Sequence, residues 1–206
     1  MCSTIYELEL ILSVVSQTPP LTTDRLILRR WRDSDRELFA RMNADAQVME
    51  FFAERLSREK SDALVDRAES HFRQHGFGPY AAEFRGDGTF IGFIGLSIPS
   101  FQAHFTPCVE IGWRLAADHW GQGLATEGAR AAVRYGFEIL GLEEIVSFTV
   151  PRNTRSRRVM EKLGMTHNPA DDFDHPLLPV GHPLQRHVLY RLRRIADSDG
   201  ASEERR

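Results

Sequence analysis

Two glycines one residue apart, Gly121 and Gly123, stand directly ahead of a helical pattern. In it Leu124, Gly128, Ala131, Ala132, Tyr135 and Ile139 recur at three- and four-residue steps. Before the glycines, Val109, Ile111, Trp113 and Leu115 alternate with Cys108, Glu110, Gly112 and Arg114, a strand with one apolar face. A strand, a glycine turn and a helix start expose unpaired amides and the positive end of the helix dipole. Glycine also lets a ligand approach the backbone, so the segment reads as an anion site, most often for phosphate. A nucleotide P-loop needs Lys and Ser or Thr after its last glycine, and Leu124-Ala125 follows here. A dinucleotide fingerprint needs a third glycine, and Thr126 stands there. A tight turn without a ligand is the remaining alternative.

A second segment bears on that choice. Glu144 to Val150 reads as a buried strand, followed by Pro151-Arg152-Asn153-Thr154-Arg155-Ser156 and a helix from Arg157 to Leu163. Asn153 or Thr154 caps that helix and Gly164 ends it. Arg152, Arg155, Arg157 and Arg158 form a basic cluster beside the anion site, either a solvated face or a phosphate contact. Arg25, Arg29, Arg30 and Arg32 form another, read first as a solvated face.

Gly121-Gln122-Gly123-Leu124-Ala125-Thr126-Glu127, and Asn153-x-x-Ser156 running on to Glu161-Lys162-Leu163-Gly164-Met165, together resemble the GNAT superfamily of N-acetyltransferases. Leu21 to Arg29 and Glu110-Ile111-Gly112-Trp113 are similar to its branch of ribosomal-protein N-terminal acetyltransferases. The resemblance spans residues 21 to 193. Trp120 stands where the superfamily often has Gln or Arg, although this branch usually has Trp or Tyr. The resemblance implies an α/β (α+β in some schemes) GNAT fold. Its central sheet would be mixed and strongly twisted, with six to seven strands, about four flanking helices and two splayed parallel strands. It also implies direct acetyl transfer from acetyl-CoA to a primary amine in a ternary complex. The acceptor would be a protein N-terminal α-amine or a small molecule. On this reading the coenzyme diphosphate lies on the amides of Gln122, Gly123, Leu124, Ala125 and Thr126, with Arg158 nearby. Pantetheine lies between the strands at Val109–Leu115 and Ile145–Val150. Asn153 matches a pantetheine contact, and Ser156 matches the residue that steadies or protonates the leaving thiolate. By residue type alone, both are also helix caps.

Attack requires a neutral amine. At pH 7 a lysine-like amine is neutral about 0.04% of the time and an α-amine roughly 10%. Deprotonation then costs about 4–5 and about 1–1.5 kcal/mol, so a modest base suffices for an α-amine. Glu110 is the candidate: it lies on the less apolar face of its strand and matches an acidic position in the branch. The alternative is a structural carboxylate paired with Arg114 or another arginine. Cys108 is the only cysteine near Glu110, but strand cysteines are usually buried and inert. The scattered Asp171, Asp172, Asp174, His167, His175, His182 and His187 have no zinc spacing, so no metal is expected. That loop reads instead as an acceptor contact, with Phe51, Phe52, Trp31 and Phe77 as core residues or the opposite wall.

The elements that must hold these residues fit one domain in a chain of 206 residues. Leu26 to Trp31 reads as a first strand, Asp33 or Ser34 to Met42 as a helix, and Ser57 to Gln74 as a longer helix. Phe77–Arg85 and Thr89–Ile98 read as a hairpin around Gly86-Asp87-Gly88. A proline-rich loop over 167–183 precedes a last strand, Gln185 to Arg193. Residues 1–20 read as an N-terminal extension, 21–195 as the GNAT domain and 196–206 as a charged tail. A net charge of −3 gives no reason to expect nucleic acid. The apolar run Ile5 to Val15 is too short and too charged to span a membrane. Cys2 and Cys108 make no disulfide framework, which fits the cytoplasm. A homodimer is left open, and the rival function is a non-catalytic acyl-CoA sensor or scaffold.

Overall fold

Alternating side chains and turn chemistry build one mixed sheet in the computed structural model, which describes residues 18–194. Most of the N-terminal extension, the charged tail and Cys2 lie outside the described residues. The elements run β1 (Leu21–Thr22), β2 (Leu26–Arg29), α1 (Asp35–Ala44), α2 (Arg58–His75), β3 (Pro79–Phe84), β4 (Phe90–Ser97) and β5 (Glu110–Leu115). Then come α3 (Leu124–Glu138), β6 (Glu144–Thr149), α4 (Thr154–Lys162), β7 (Thr166–His167), β8 (Phe173–Asp174) and β9 (Arg186–Arg193). The strand order is β1-β2-β3-β4-β5-β6-β9-β7, with β8 on β9. Among the described residues only β5 and β6 pair in parallel.

Among the described residues the architecture is the expected α/β one with four α-helices, but the sheet has nine strands rather than six or seven. The additional ones, β1, β7 and β8, have two residues each and show no periodicity in the sequence. The first strand stops at Arg29 because the Trp31 amide donates to the Glu69 carboxylate at 3.1 Å instead of to a neighbouring strand. Ser57 caps α2 through its hydroxyl, and Gly76 ends it at φ 74°. Asp87 accepts from the Thr89 amide at 2.9 Å in the β3–β4 turn.

Three apolar clusters sandwich the sheet. Leu26, Leu28, Tyr80, Ile94, Ile111 and Ile145 meet Leu124, Ala132 and Tyr135 of α3, with Phe72 of α2 and Met160 of α4. Gly128 in mid-α3 is needed for this contact, since a Cβ there would lie 2.4 Å from Ile94 Cδ1. Ile139, read as part of the helical periodicity, is 70% exposed one residue past the end of α3. On the opposite face α1 brings Phe39 and Met42 onto Ala81 and Phe90. Phe101, Phe105 and Phe173 cover Val146 and Leu189 at the far end.

The first arginine cluster is not the solvated face that was expected. Arg29 is buried and reaches both Asp35 oxygens, at 2.7 and 2.9 Å, and Glu83 at 2.6 Å. Arg30 pairs with Glu69, and Arg32 reaches Glu83 at 2.8 Å. These ion pairs fasten α1, α2 and β3 to the end of β2.

Candidate active site

The turn between β5 and α3 is held from outside. Gly121 and Gly123 have φ of 75° and 80°, a region that costs any other residue strain. Gly123 is the N-cap of α3, and no side chain caps the helix. The first helical bond runs from the Glu127 amide to Gly123 O at 3.0 Å. Among the described residues, the amides from Gln122 to Thr126 have no backbone partner in this turn. Glu127 accepts from Thr23 Oγ1 at 2.6 Å, the Arg25 amide at 2.8 Å and Arg25 Nε at 2.7 Å. Partial burial works against ionisation there, but these donors hold the carboxyl below its ordinary pKa. Arg25 Nη1 also donates to Gln122 O at 3.0 Å. Sequence reasoning missed this clamp, whose partners lie about a hundred residues apart.

From the turn a cleft of about 780 Å³ runs between β5 and β6. The two strands share one Cα register pair, Glu110 with Val146. The Val146 amide donates to Val109 O at 2.9 Å, and Ser147 Oγ donates to Ile111 O at 2.9 Å. Beyond that hydroxyl the ladder ends and the strands separate, as the resemblance implied. Ser147 is therefore the last tie across the gap, a role its place in a buried run did not reveal.

Glu110, Gly112 and Arg114 share the face of β5 that looks toward α1 and the loop after it. The Glu110 carboxyl has neither a hydrogen bond nor an ion pair with any described residue. Desolvation alone pushes its pKa up to about 8. The alternative pairing with Arg114 does not occur. Arg114 instead donates to Asn43 Oδ1 at 2.7 Å, and its guanidinium lies 3.9 Å from the centre of the Phe52 ring.

Asn153 and Ser156 meet at the start of α4. Asn153 Oδ1 accepts from the Ser156 amide at 3.2 Å, and its Nδ2 donates to Thr149 Oγ1 at 2.9 Å and Ser156 Oγ at 3.1 Å. Both side chains line the cleft, so capping and a place in the site coexist. Arg155 and Arg158 line the cleft as well, whereas Arg152 and Arg157 do not. Arg155 pairs with Glu50 at 2.9 Å and stacks on Trp120 at 4.4 Å. Arg157 turns away to the Tyr190 hydroxyl at 3.2 Å.

The cleft has aromatic walls. Phe51 and Phe52 line it, whereas Phe77 is core and Trp31 packs on Phe39 and Phe90. The loop before β9 supplies His175, Leu177 and Leu184, and β9 adds His187. Burial lowers the pKa of both histidines, and His187 lowers that of His175 further. His167 accompanies Asp172 at 2.7 Å, away from these two. Burial, reinforced by Glu110, pushes the Cys108 thiol up to about 11, so it stays protonated.

The comparisons with known proteins agree with this geometry. The family model described as acetyltransferase (GNAT) domain matches residues 25–166. An Aspergillus fumigatus FsC-acetyl coenzyme A-N(2)-transacetylase is 34% identical over 163 residues, covering 74% of this chain and 67% of that protein. The crystal structure of an Agrobacterium tumefaciens acetyltransferase superposes with a TM-score of 0.69 at 27% identity, over 85% of this chain and 95% of that one. A Vibrio cholerae spermidine N-acetyltransferase, solved with CoA and spermine, shares the fold with a TM-score of 0.64 at 20% identity. It covers 83% of this chain and 96% of its own. The chain belongs to the GNAT family, as an acetyl-CoA-dependent N-acetyltransferase.

Proposed function

We propose that the protein transfers acetyl directly from acetyl-CoA to a primary amine held against the aromatic wall of the cleft, with Glu110 as the base. The observation that carries this reading is the unpaired Glu110 carboxyl beside the point where β5 and β6 separate. A carboxyl with a pKa of about 8 is a stronger base than an ordinary one once ionised, and it is poised near neutral pH. The free amides from Gln122 to Thr126 suit the coenzyme diphosphate, and a capping ligand supplies what the glycine N-cap lacks. Arg25, Arg130 and Lys162 border the same turn and add positive charge, as Arg158 does from the cleft. Acetyl-CoA supplies an acyl group activated as a thioester. Asn153 would bond the pantetheine arm, and Ser156 would offer its hydroxyl proton to the departing sulfur.

The acceptor is either a small amine or a peptide N-terminus. The Vibrio cholerae relative with spermine supports a small amine, and the resemblance to the ribosomal-protein branch supports a peptide. The paucity of cysteine supports a cytoplasmic site of action. Initial rates with both substrates varied test direct transfer. Intersecting double-reciprocal lines and loss of turnover in Glu110→Gln are expected. Parallel lines with an acetylated Cys108 would overturn the proposal.

A further inference from the structure

We infer that the acceptor carries a carboxylate several bonds away from its reacting amine, and that Arg114 binds that carboxylate. The inference rests on the amine-transfer reading above and concerns the same cleft. Among the described residues Arg114 is a cation without a counter-ion. Its Nη1 donates to Asn43 Oδ1, a neutral acceptor, and Asn43 is itself fully buried and tied to Ser61 Oγ at 2.8 Å. Its Nε is sealed from solvent without a partner, and its Nη2 bonds to none of the described residues. Phe52 and Phe93 flank the guanidinium at 3.9 and 5.7 Å from their ring centres. Aromatic faces steady a cation but accept no conventional hydrogen bond.

Other interior arginines of this chain are matched differently. Arg29 meets two carboxylates, and so does Arg191. Burial lowers the pKa of Arg114 to about 10, which still leaves it charged at neutral pH. A carboxylate answers the Nη2 donor, which unlike Nε is not sealed from solvent, in a charge-assisted hydrogen bond.

Spacing narrows the class further. Glu110 and Arg114 are four residues apart on one strand face, about 13 Å between their Cα atoms. An amine presented to Glu110 and an anion presented to Arg114 therefore belong to opposite ends of an extended acceptor. A compact α-amino acid, with both groups on one carbon, does not span them.

The test is a panel of amines assayed by CoA release: hexylamine, hexamethylenediamine, ε-aminocaproate and alanine. Short peptides with Asp or Asn in their third position distinguish a peptide's acidic side chain from a free amino acid as the source of the carboxylate. The carboxylated member of an extended pair is expected to lead by about 10- to 100-fold in kcat/KM, mainly through KM. Alanine gains no such advantage. Arg114→Gln should bring the ratio close to one, and Arg114→Lys should retain part of it. Thermal stabilisation by acetyl-CoA reports folding and coenzyme binding in each variant. If Arg114→Gln does not fold, the wild-type ratio and Arg114→Lys decide. A preference for hexylamine or hexamethylenediamine, an equal loss on every acceptor, or a matching loss of acetyl-CoA affinity would overturn the inference. CoA release from no amine at all would instead defeat the transfer reading beneath it.

Discussion

Replacing Glu110 with Gln should make the enzyme slower and the fold stronger. In the native state the Glu110 carboxyl has a pKa of about 8, against the ordinary value of 4.5. The native state therefore holds this proton more tightly than the unfolded chain. The contribution of Glu110 to stability is fully present below pH 4.5, is lost as pH rises toward 8, and is level above it. At pH 7 the linkage between those values is worth about 3 kcal/mol against folding, which water in the open cleft reduces to about 1–3 kcal/mol. Glutamine keeps the shape and has nothing to ionise. Glu110→Gln should thus raise the melting temperature at pH 8 by roughly 2–10 °C and leave it unchanged near pH 4. Turnover should fall by about 10²–10⁴-fold. In the wild type, kcat should climb with pH through an apparent pKa of about 8 and then level. Thermal melts across pH and kcat profiles of both proteins check this. A lower melting temperature at pH 8, or a kcat profile unchanged by the substitution, would refute the reasoning, because a structural carboxylate gives the first and a spectator the second.

Three further outcomes follow from particular contacts. Gly123→Ala forces φ 80° on a residue with a Cβ, so it should cost about 1–2 kcal/mol and raise the KM for acetyl-CoA, read by melting and by initial rates. Gly128→Ala drives a Cβ against Ile94 Cδ1, 2.4 Å away, and should destabilise by about 1–3 kcal/mol in denaturant titrations, with little change in KM for the protein that remains folded. Arg29→Met leaves Asp35 and Glu83 buried without their shared cation; a loss of about 3–5 kcal/mol is expected in denaturant titrations.

The glycine turn and the capped start of α4 were legible in the sequence and the opposite wall of the cleft much less so, for a physical reason. Binding to backbone amides requires glycines and a helix start, and both leave local marks at Gly121, Gly123 and the periodic run after Leu124. Asn153 and Ser156 were legible likewise, because their spacing is that of a cap on the helix they begin. Ser147 and Arg114 act across the sheet, and nothing near them in sequence separates one buried-strand serine or one strand arginine from another. The Arg25–Glu127 clamp and the double pairing of Arg29 are also contacts between separate segments. That is why an arginine cluster read as a solvated face became a set of fastenings. Two-residue strands were lost for a similar reason: they exist only through their pairing with a longer neighbour.

The unsatisfied groups of this fold also say where its ligands belong. Arg29, Arg30 and Arg191 show that the fold readily matches cations with carboxylates. Yet Glu110 and Arg114, on one strand and one face, each lack an ionic partner, and the amides at the start of α3 lack acceptors. All three border the same cleft. The other sealed atom without a partner, Asp62 Oδ1, sits on a carboxylate whose second oxygen is engaged by Arg58 at 2.8 Å. Random imperfections of packing would scatter over the molecule, whereas these converge on one path from the glycine turn to the aromatic chamber. Each leaves the empty protein less stable than a fully paired one, and each is relieved by a partner of the opposite polarity. Ligand binding should therefore stabilise the fold in two separable steps: acetyl-CoA through the amides, and an extended amino acid through Arg114, as linkage requires of any ligand that binds only the native state. Melting with saturating CoA, then with ε-aminocaproate added, reads the steps in turn. Stabilisation by the second ligand that survives intact in Arg114→Gln would show that the charge of Arg114 is answered elsewhere.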